Sequence, residues 1–159
     1  MHPQTELLLA ALDQAFDHRA WHGTNLRGSV RGLSAEEAAW RPAPGRHNVW
    51  EIVLHTAYWK YIVRRRITGV RGASFARKGS NWFPSPASAS EREWKSDVAL
   101  LQDEHRKLRE AVAAMPPSDL AKLSPKKKWT RAEELFGIAA HDLYHAGQIQ
   151  LLKRLQART

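Results

Sequence analysis

Residues 48–69 read NVWEIVLHTAYWKYIVRRRITG and have the features of a long amphipathic helix. Asn48 and Glu51 fit a capping box, in which the first side chain accepts from the third backbone N–H and the carboxylate reaches back. A long run of mostly apolar residues follows without proline, and Gly69 and Gly72 stop it. The sequence therefore predicts a helix over 48–68.

The same start signal precedes two further apolar runs, at Ser90 and at Thr130. We expect helices there over 90–115 and 130–156. Near the beginning of the chain, Pro3 opens an amphipathic pattern that should continue to about Gly23.

A shorter helical turn is expected over 34–40, before the RPAPGR segment breaks the chain. No segment alternates apolar and polar residues over the length of a strand. Long helices with two short connections and one long connection, over 69–89, predict an all-α fold: a four-helix bundle with a long crossover connection.

Composition limits the classes of protein to consider. The chain has 159 residues, 43% of them hydrophobic, so we expect one domain over 1–159. No segment is long and apolar enough for a membrane span, and the first residues do not resemble a signal peptide, so we expect a cytoplasmic protein with no membrane partner. Cysteine is absent, which excludes disulfides, thiolate ligands and a cysteine nucleophile and leaves His, Asp and Glu as strong metal ligands.

The net charge of +9 is unevenly distributed. No acidic residue lies between Glu51 and Glu91, although seven Lys and Arg residues do, and 126–128 is a run of three lysines. Such surfaces attract anions, so one alternative function is a nucleic-acid-associated stress-response protein. We consider nucleic acid a less favoured partner, because no groove-reading or RNA-binding motif accompanies the charge.

The 69–89 connection is long and contains Trp82 and Phe83. Long loops in compact domains usually have a function or are disordered, and adjacent aromatics do not favour disorder. One hypothesis is that Trp82 and Phe83 fold over one end of the bundle and help to wall a pocket. The other is that they only anchor the loop to the core.

Three histidines are candidate metal ligands. His141 and His145 stand one helical turn apart in HDLYHAGQIQLL, so both imidazoles project to the same side of a helix. His55 lies on the apolar face of the second long helix, next to where the last helix should pack. Three neutral imidazoles need partners in an apolar setting, and a divalent cation satisfies all three.

The other histidines are weaker candidates. His18 and His22 share the four-residue spacing but should lie at the end of the first helix, with no third ligand. His47 fits a solvated loop position, although it could approach a metal from the end of its helix. His105 stands among charged residues and is expected on a solvated helix face. Di-iron and zincin motifs are both absent.

The segment WRPAPGRHNVWEIVLHTAYWKYIVRRRITG (40–69), together with HDLYHAGQIQLLKR (141–154), resembles the DinB-like, or YfiT-like, superfamily of metal-dependent enzymes. The resemblance implies a four-helix bundle with a long crossover, a divalent metal bound by His55, His141 and His145, and frequent homodimers. Members of this superfamily include thiol-dependent S-transferases and isomerases that use mycothiol, bacillithiol or glutathione.

Three neutral ligands would leave the charge of a divalent cation uncompensated, so a water or a low-molecular-weight thiol would be acidified there. We therefore expect an enzyme that acts on a small-molecule substrate by hydrolysis or S-transfer; a non-catalytic metal-binding bundle is a further alternative. Zinc and nickel are favoured, and iron and manganese are also compatible with imidazole. Gln148 is expected to orient the substrate or the metal-bound group, and Asp142 or Glu51 to accept a hydrogen bond from the second ring N–H of a ligand histidine.

Overall fold

The structure is a computed structural model that describes residues 2–70, 72, 74–124 and 128–157. Within these residues it contains six α-helices and no named strand. The helices are α1 (Pro3–Phe16), α2 (Leu26–Val30), α3 (Ala35–Ala39), α4 (Val49–Thr68), α5 (Glu91–Ala114) and α6 (Arg131–Gln156). This confirms the all-α fold, and α1, α4, α5 and α6 form the four-helix bundle.

The predicted caps account for where the long helices begin. The side chains of Asn48, Ser90 and Thr130 each accept from the backbone N–H three residues later. Thr130 and Ser34 form complete capping boxes. At Asn48 and Ser90 the predicted capping boxes are incomplete, because only the bond to the cap side chain forms. The Glu51 carboxylate bonds to other side chains instead of reaching back.

Two predictions about the first part of the chain were wrong. Helix α1 ends at Phe16 and not near Gly23, because the backbone N–H groups of Asp17 and His18 both bond to the Asp13 carbonyl and close the helix. The connection from α1 to α4 is therefore not short, and it contains α2, which the sequence pattern did not indicate. The Asn25 side chain caps this short helix by accepting from the backbone N–H of Gly28.

Helices α4 and α5 run in the same direction. Trp50, near the start of α4, donates to Asp97 in the first part of α5, and Arg64, near the end of α4, bonds to Glu104 further along α5. The chain must retrace the length of α4, about 30 Å, before α5 begins. The long 69–90 crossover follows from this geometry.

A buried polar group lies inside the bundle, where all four long helices meet. Lys60 and Asp142 form an ion pair with both side chains fully buried. The Lys60 ammonium also lies 5.0 Å from the centre of the Phe16 ring, which stacks on His105. His105 is 5% exposed, so its predicted place on a solvated helix face was wrong.

Most of the basic segment predicted as an anion-attracting surface forms ion pairs with other helices. The pairs are Lys60 with Asp142, Arg64 with Glu104, Arg66 with Glu134, and Arg77 with Asp97. Arg71 and two lysines of the 126–128 run lie outside the described residues. The positive charge available to bind phosphate on the described surface is thus smaller than the composition indicates.

Among the described residues, no helix has both the length and the apolar content needed to span a membrane.

Candidate metal centre

The structure brings the three predicted histidines together between α4 and α6. The Nε2 atom of His141 lies 3.1 Å from Nε2 of His55 and 3.1 Å from Nε2 of His145. His55 and His145 are buried, and His141 is partly exposed. This group, which we call the histidine cluster, offers one nitrogen from each ring at a common point and can hold a metal ion.

Hydrogen bonds at Nδ1, on the side of the ring away from the common point, determine which nitrogen of His55 and of His145 carries the proton. Nδ1 of His55 lies 2.8 Å from the backbone oxygen of Asn81, and Nδ1 of His145 lies 2.7 Å from Oε1 of Gln148. Because both partners are oxygen acceptors, each Nδ1 carries the ring proton, and a neutral ring then has a free lone pair on Nε2. Both lone pairs are directed at His141.

The pKa values of the three rings in the histidine cluster are lowered. Burial, with a smaller contribution from the neighbouring imidazoles, lowers the pKa of His141 to about 3. Burial also lowers the pKa of His145 to about 4 and shifts the pKa of His55 downward. The three rings are therefore neutral around pH 7.

This arrangement fits a cation better than it fits three free imidazoles. A neutral His141 has one ring proton, which cannot fully satisfy the lone pairs of both His55 and His145. Two nitrogen ligands about 2.0–2.1 Å from a tetrahedral zinc ion are roughly 3.3 Å apart. The observed spacing of 3.1 Å is close to that value.

Asn81 is a site residue that sequence reasoning missed. Its φ of 65° lies in the left-handed region, which asparagine tolerates better than most residues, and this turns its carbonyl toward His55. Its side-chain oxygen also accepts from the indole N–H of Trp59 at 2.9 Å. A single loop residue therefore orients one histidine of the cluster and an aromatic side chain beside it.

The two aromatics of the crossover have different roles. Phe83 is buried against Phe75 and Tyr58 and anchors the loop, as the second hypothesis proposed. Trp82 stacks between His47 and His55, with ring centres 3.6 and 3.9 Å away. Trp82 thus covers one face of the His55 ring in the histidine cluster. That it walls a pocket, as the first hypothesis holds, stays a prediction.

The predicted acidic partners of the histidines have other partners. Asp142 bonds to Lys60, and burial raises its pKa to about 6 although Lys60 opposes that shift. Glu51 accepts from both terminal nitrogens of Arg41 and bonds to His47. Within the described structure neither carboxylate bonds to the histidine cluster. Gln148 contacts His145 directly, which makes it a positioning residue for that ring.

The fold and the site define a class: an all-α bundle with a three-histidine group able to bind a metal ion between its second and fourth long helices. The family model of the DinB superfamily matches residues 17–149, and the chain belongs to this superfamily. Searches of curated proteins and of solved structures found no match. The match to the family model confirms the resemblance seen in the 40–69 and 141–154 segments.

Proposed function

We propose that the protein is a divalent-metal-dependent enzyme that acts on a small molecule at the histidine cluster. The observation that carries this proposal is the convergence of three neutral Nε2 atoms, two of them with protonation fixed by oxygen acceptors. A bound divalent ion would supply Lewis acidity for activating water or a low-molecular-weight thiol, as in hydrolysis or S-transfer. Zinc and nickel suit the all-imidazole ligand set, and iron and manganese are also compatible.

The surrounding residues position the ligands and limit access of water. Asn81 and Gln148 hold the rings of His55 and His145 from behind, as partners of metal-bound histidines commonly do. Trp82 covers His55, which leaves access on the side of the partly exposed His141. The Gln148 amide nitrogen is not used by His145, so we propose that it orients the reacting group.

Metal analysis tests this proposal. Protein purified without an affinity tag is analysed for divalent metals, alongside His141→Ala and the control His22→Ala, which changes an exposed histidine. We expect about one ion per chain in the wild type and the control, and much less in His141→Ala. An unchanged metal content in His141→Ala would contradict the proposal.

The nucleophile is tested separately. Turnover of a set of electrophilic substrates is compared with and without mycothiol, bacillithiol or glutathione. Turnover that requires a thiol would identify an S-transferase or isomerase, and turnover with water alone a hydrolase. A protein that holds the metal but shows neither activity would support the non-catalytic bundle instead.

We also propose a homodimer that forms through α6. Its solvent-facing positions between His141 and Arg154, beyond the 132–138 segment, carry no charge, and Tyr144 and Leu151 are 64% and 59% exposed. Exposed apolar surface of this kind is typical of interfaces. Light scattering should show a dimer for the wild type and a monomer for Leu151→Lys.

The cytoplasmic location expected from the sequence stays a prediction.

A further inference from the structure

A groove of about 670 Å³ lies between α1, α4 and α6, and one of its lining residues is His141. Leu8, Val63 and Ile138 line it with buried side chains. Leu7, Trp129 and Phe136 line it with side chains 71%, 48% and 67% exposed. Along α6 the groove extends from Ala132 to His141, which is about 14 Å.

The one positively charged residue of the described groove lining, Arg66, bonds to Glu134 at 3.1 Å. An anionic ligand would therefore find no free cation there. The Glu133 carboxylate, which a cationic ligand would need, is exposed to water and already accepts from the backbone and hydroxyl of Thr130 in the capping box. The groove therefore favours an uncharged, apolar ligand.

Trp59 connects the groove to the histidine cluster. It lines the groove together with His141, and its ring centre lies 6.5 Å from that of His141 and 6.4 Å from that of His55. Asn81 accepts from its indole N–H, and the Arg66 guanidinium lies 5.7 Å from its ring centre. These contacts hold Trp59 in place, so the wall between groove and cluster is preorganised.

We propose that the groove binds the apolar, uncharged body of the substrate, such as an alkyl chain or aromatic group, with its reactive polar end at His141. This inference rests on the proposed function, because the polar end is assigned to the metal site. It adds the substrate class: a molecule with an extended hydrophobic part, rather than a small, fully polar one.

Two hydroxamic acids test the proposal, because both have the same metal-binding head and differ only in their tails. Calorimetry on Zn²⁺-loaded protein compares octanohydroxamic acid with acetohydroxamic acid. Octanohydroxamic acid has about six more methylene groups, so we expect it to bind at least about 30-fold more tightly. This factor is well below the gain in affinity that complete burial of the tail would give.

Two glycines of α6 provide a matched pair of variants. A Cβ atom at Gly137 or at Gly147 meets no atom within 4 Å, but only Gly137 lines the groove. Gly137→Leu should reduce the preference for the longer tail to about threefold or less, because the new side chain fills the groove. Gly147 lies on the α6 face proposed for the dimer but outside the groove, so Gly147→Leu should keep the wild-type preference whether or not the dimer forms. Both variants should retain the wild-type metal content.

The remaining outcomes separate the groove from the metal site. Equal affinity for the two acids in every protein would overturn the groove proposal and leave the metal site intact. If the chain holds no Zn²⁺, the proposed function fails, and binding of 1-octanol then tests the groove alone. Loss of octanol binding in Gly137→Leu but not in Gly147→Leu supports the groove proposal. Equal octanol binding by the two variants overturns it. A dimer that dissociates on Gly137→Leu, with no tail preference, would make the groove a subunit interface and overturn the proposal.

Discussion

Replacing His105 by phenylalanine should make the folded protein less sensitive to acid. His105 is 5% exposed and stacks on Phe16 with ring centres 3.8 Å apart. Its Nδ1 atom has no hydrogen-bond partner in the described structure. Burial, with smaller contributions from the charges of Lys60 and Arg109, lowers the pKa of His105 from 6.5 to about 2.

The direction of the effect follows from these two pKa values. As the pH falls below 6.5 the unfolded chain takes up a proton at His105, whereas the folded chain does so only near pH 2. The stability associated with a neutral His105 is present above pH 6.5 and is lost as the pH falls. Between pH 7 and pH 5 this loss is about 2 kcal/mol.

Phenylalanine keeps the aromatic stack and removes the titrating group. The free energy of unfolding of His105→Phe should therefore fall less between pH 7 and pH 5 than that of the wild type, by about 2 kcal/mol. It is measured by urea titration with tryptophan fluorescence in the presence of a chelator. Any change in packing affects both pH values equally and cancels.

His22→Phe is the control, because the His22 side chain is exposed in the turn after α1. It should keep the pH dependence of the wild type. If His105→Phe also shows the wild-type difference between pH 7 and pH 5, then His105 is protonated in the folded state or exposed, and the buried position deduced here is wrong.

Three further predictions concern the buried ion pair and the residues behind the histidine cluster. Lys60→Met should lower the free energy of unfolding by about 3–5 kcal/mol because it leaves Asp142 buried and unpaired, and the double variant with Asp142→Leu should recover much of that loss in urea titrations. Gln148→Leu should weaken metal affinity about 10- to 100-fold in competition with a chelator, whereas Gln150→Leu should not. Asn81→Ala should be about 1 kcal/mol less stable than Asn81→Gly, because only glycine adopts the left-handed conformation without strain; equal stabilities would refute this.

The long helices could be predicted because their signals are local. Caps at Asn48, Ser90 and Thr130 and a stop at Gly69 depend on residues within one turn of each helix end. The end of α1 could not be predicted in the same way. No glycine or proline follows Phe16 before Gly23, but hydrogen bonds to the Asp13 carbonyl close the helix earlier.

The histidine cluster was partly predictable. The spacing of His141 and His145 places both rings on one side of a helix, and the apolar face of α4 indicated His55. The oxygen acceptor of His55 was not indicated, because the Asn81 carbonyl belongs to the backbone of an irregular loop. Gln148 was identified as a site residue, but its contact with His145 depends on side-chain geometry that spacing does not specify.

The burial of ionisable side chains was the least predictable feature. His105 stands among charged neighbours in sequence, which is typical of a solvated helix face, and Lys60 belongs to a segment that is rich in Lys and Arg and free of Asp and Glu. Their burial depends on Phe16 and Asp142, which belong to other helices. A periodic pattern within one helix contains no information about such partners.

The stack of Trp82 on His55 gives the protein an internal optical reporter. The indole lies 3.9 Å from a ring of the histidine cluster, so a paramagnetic ion such as Ni²⁺ bound there would quench its emission. Metal uptake and release could then be followed in unlabelled protein during a single titration. Comparison with Trp82→Phe would separate this signal from that of the other six tryptophans, which makes the kinetics of ion exchange directly measurable.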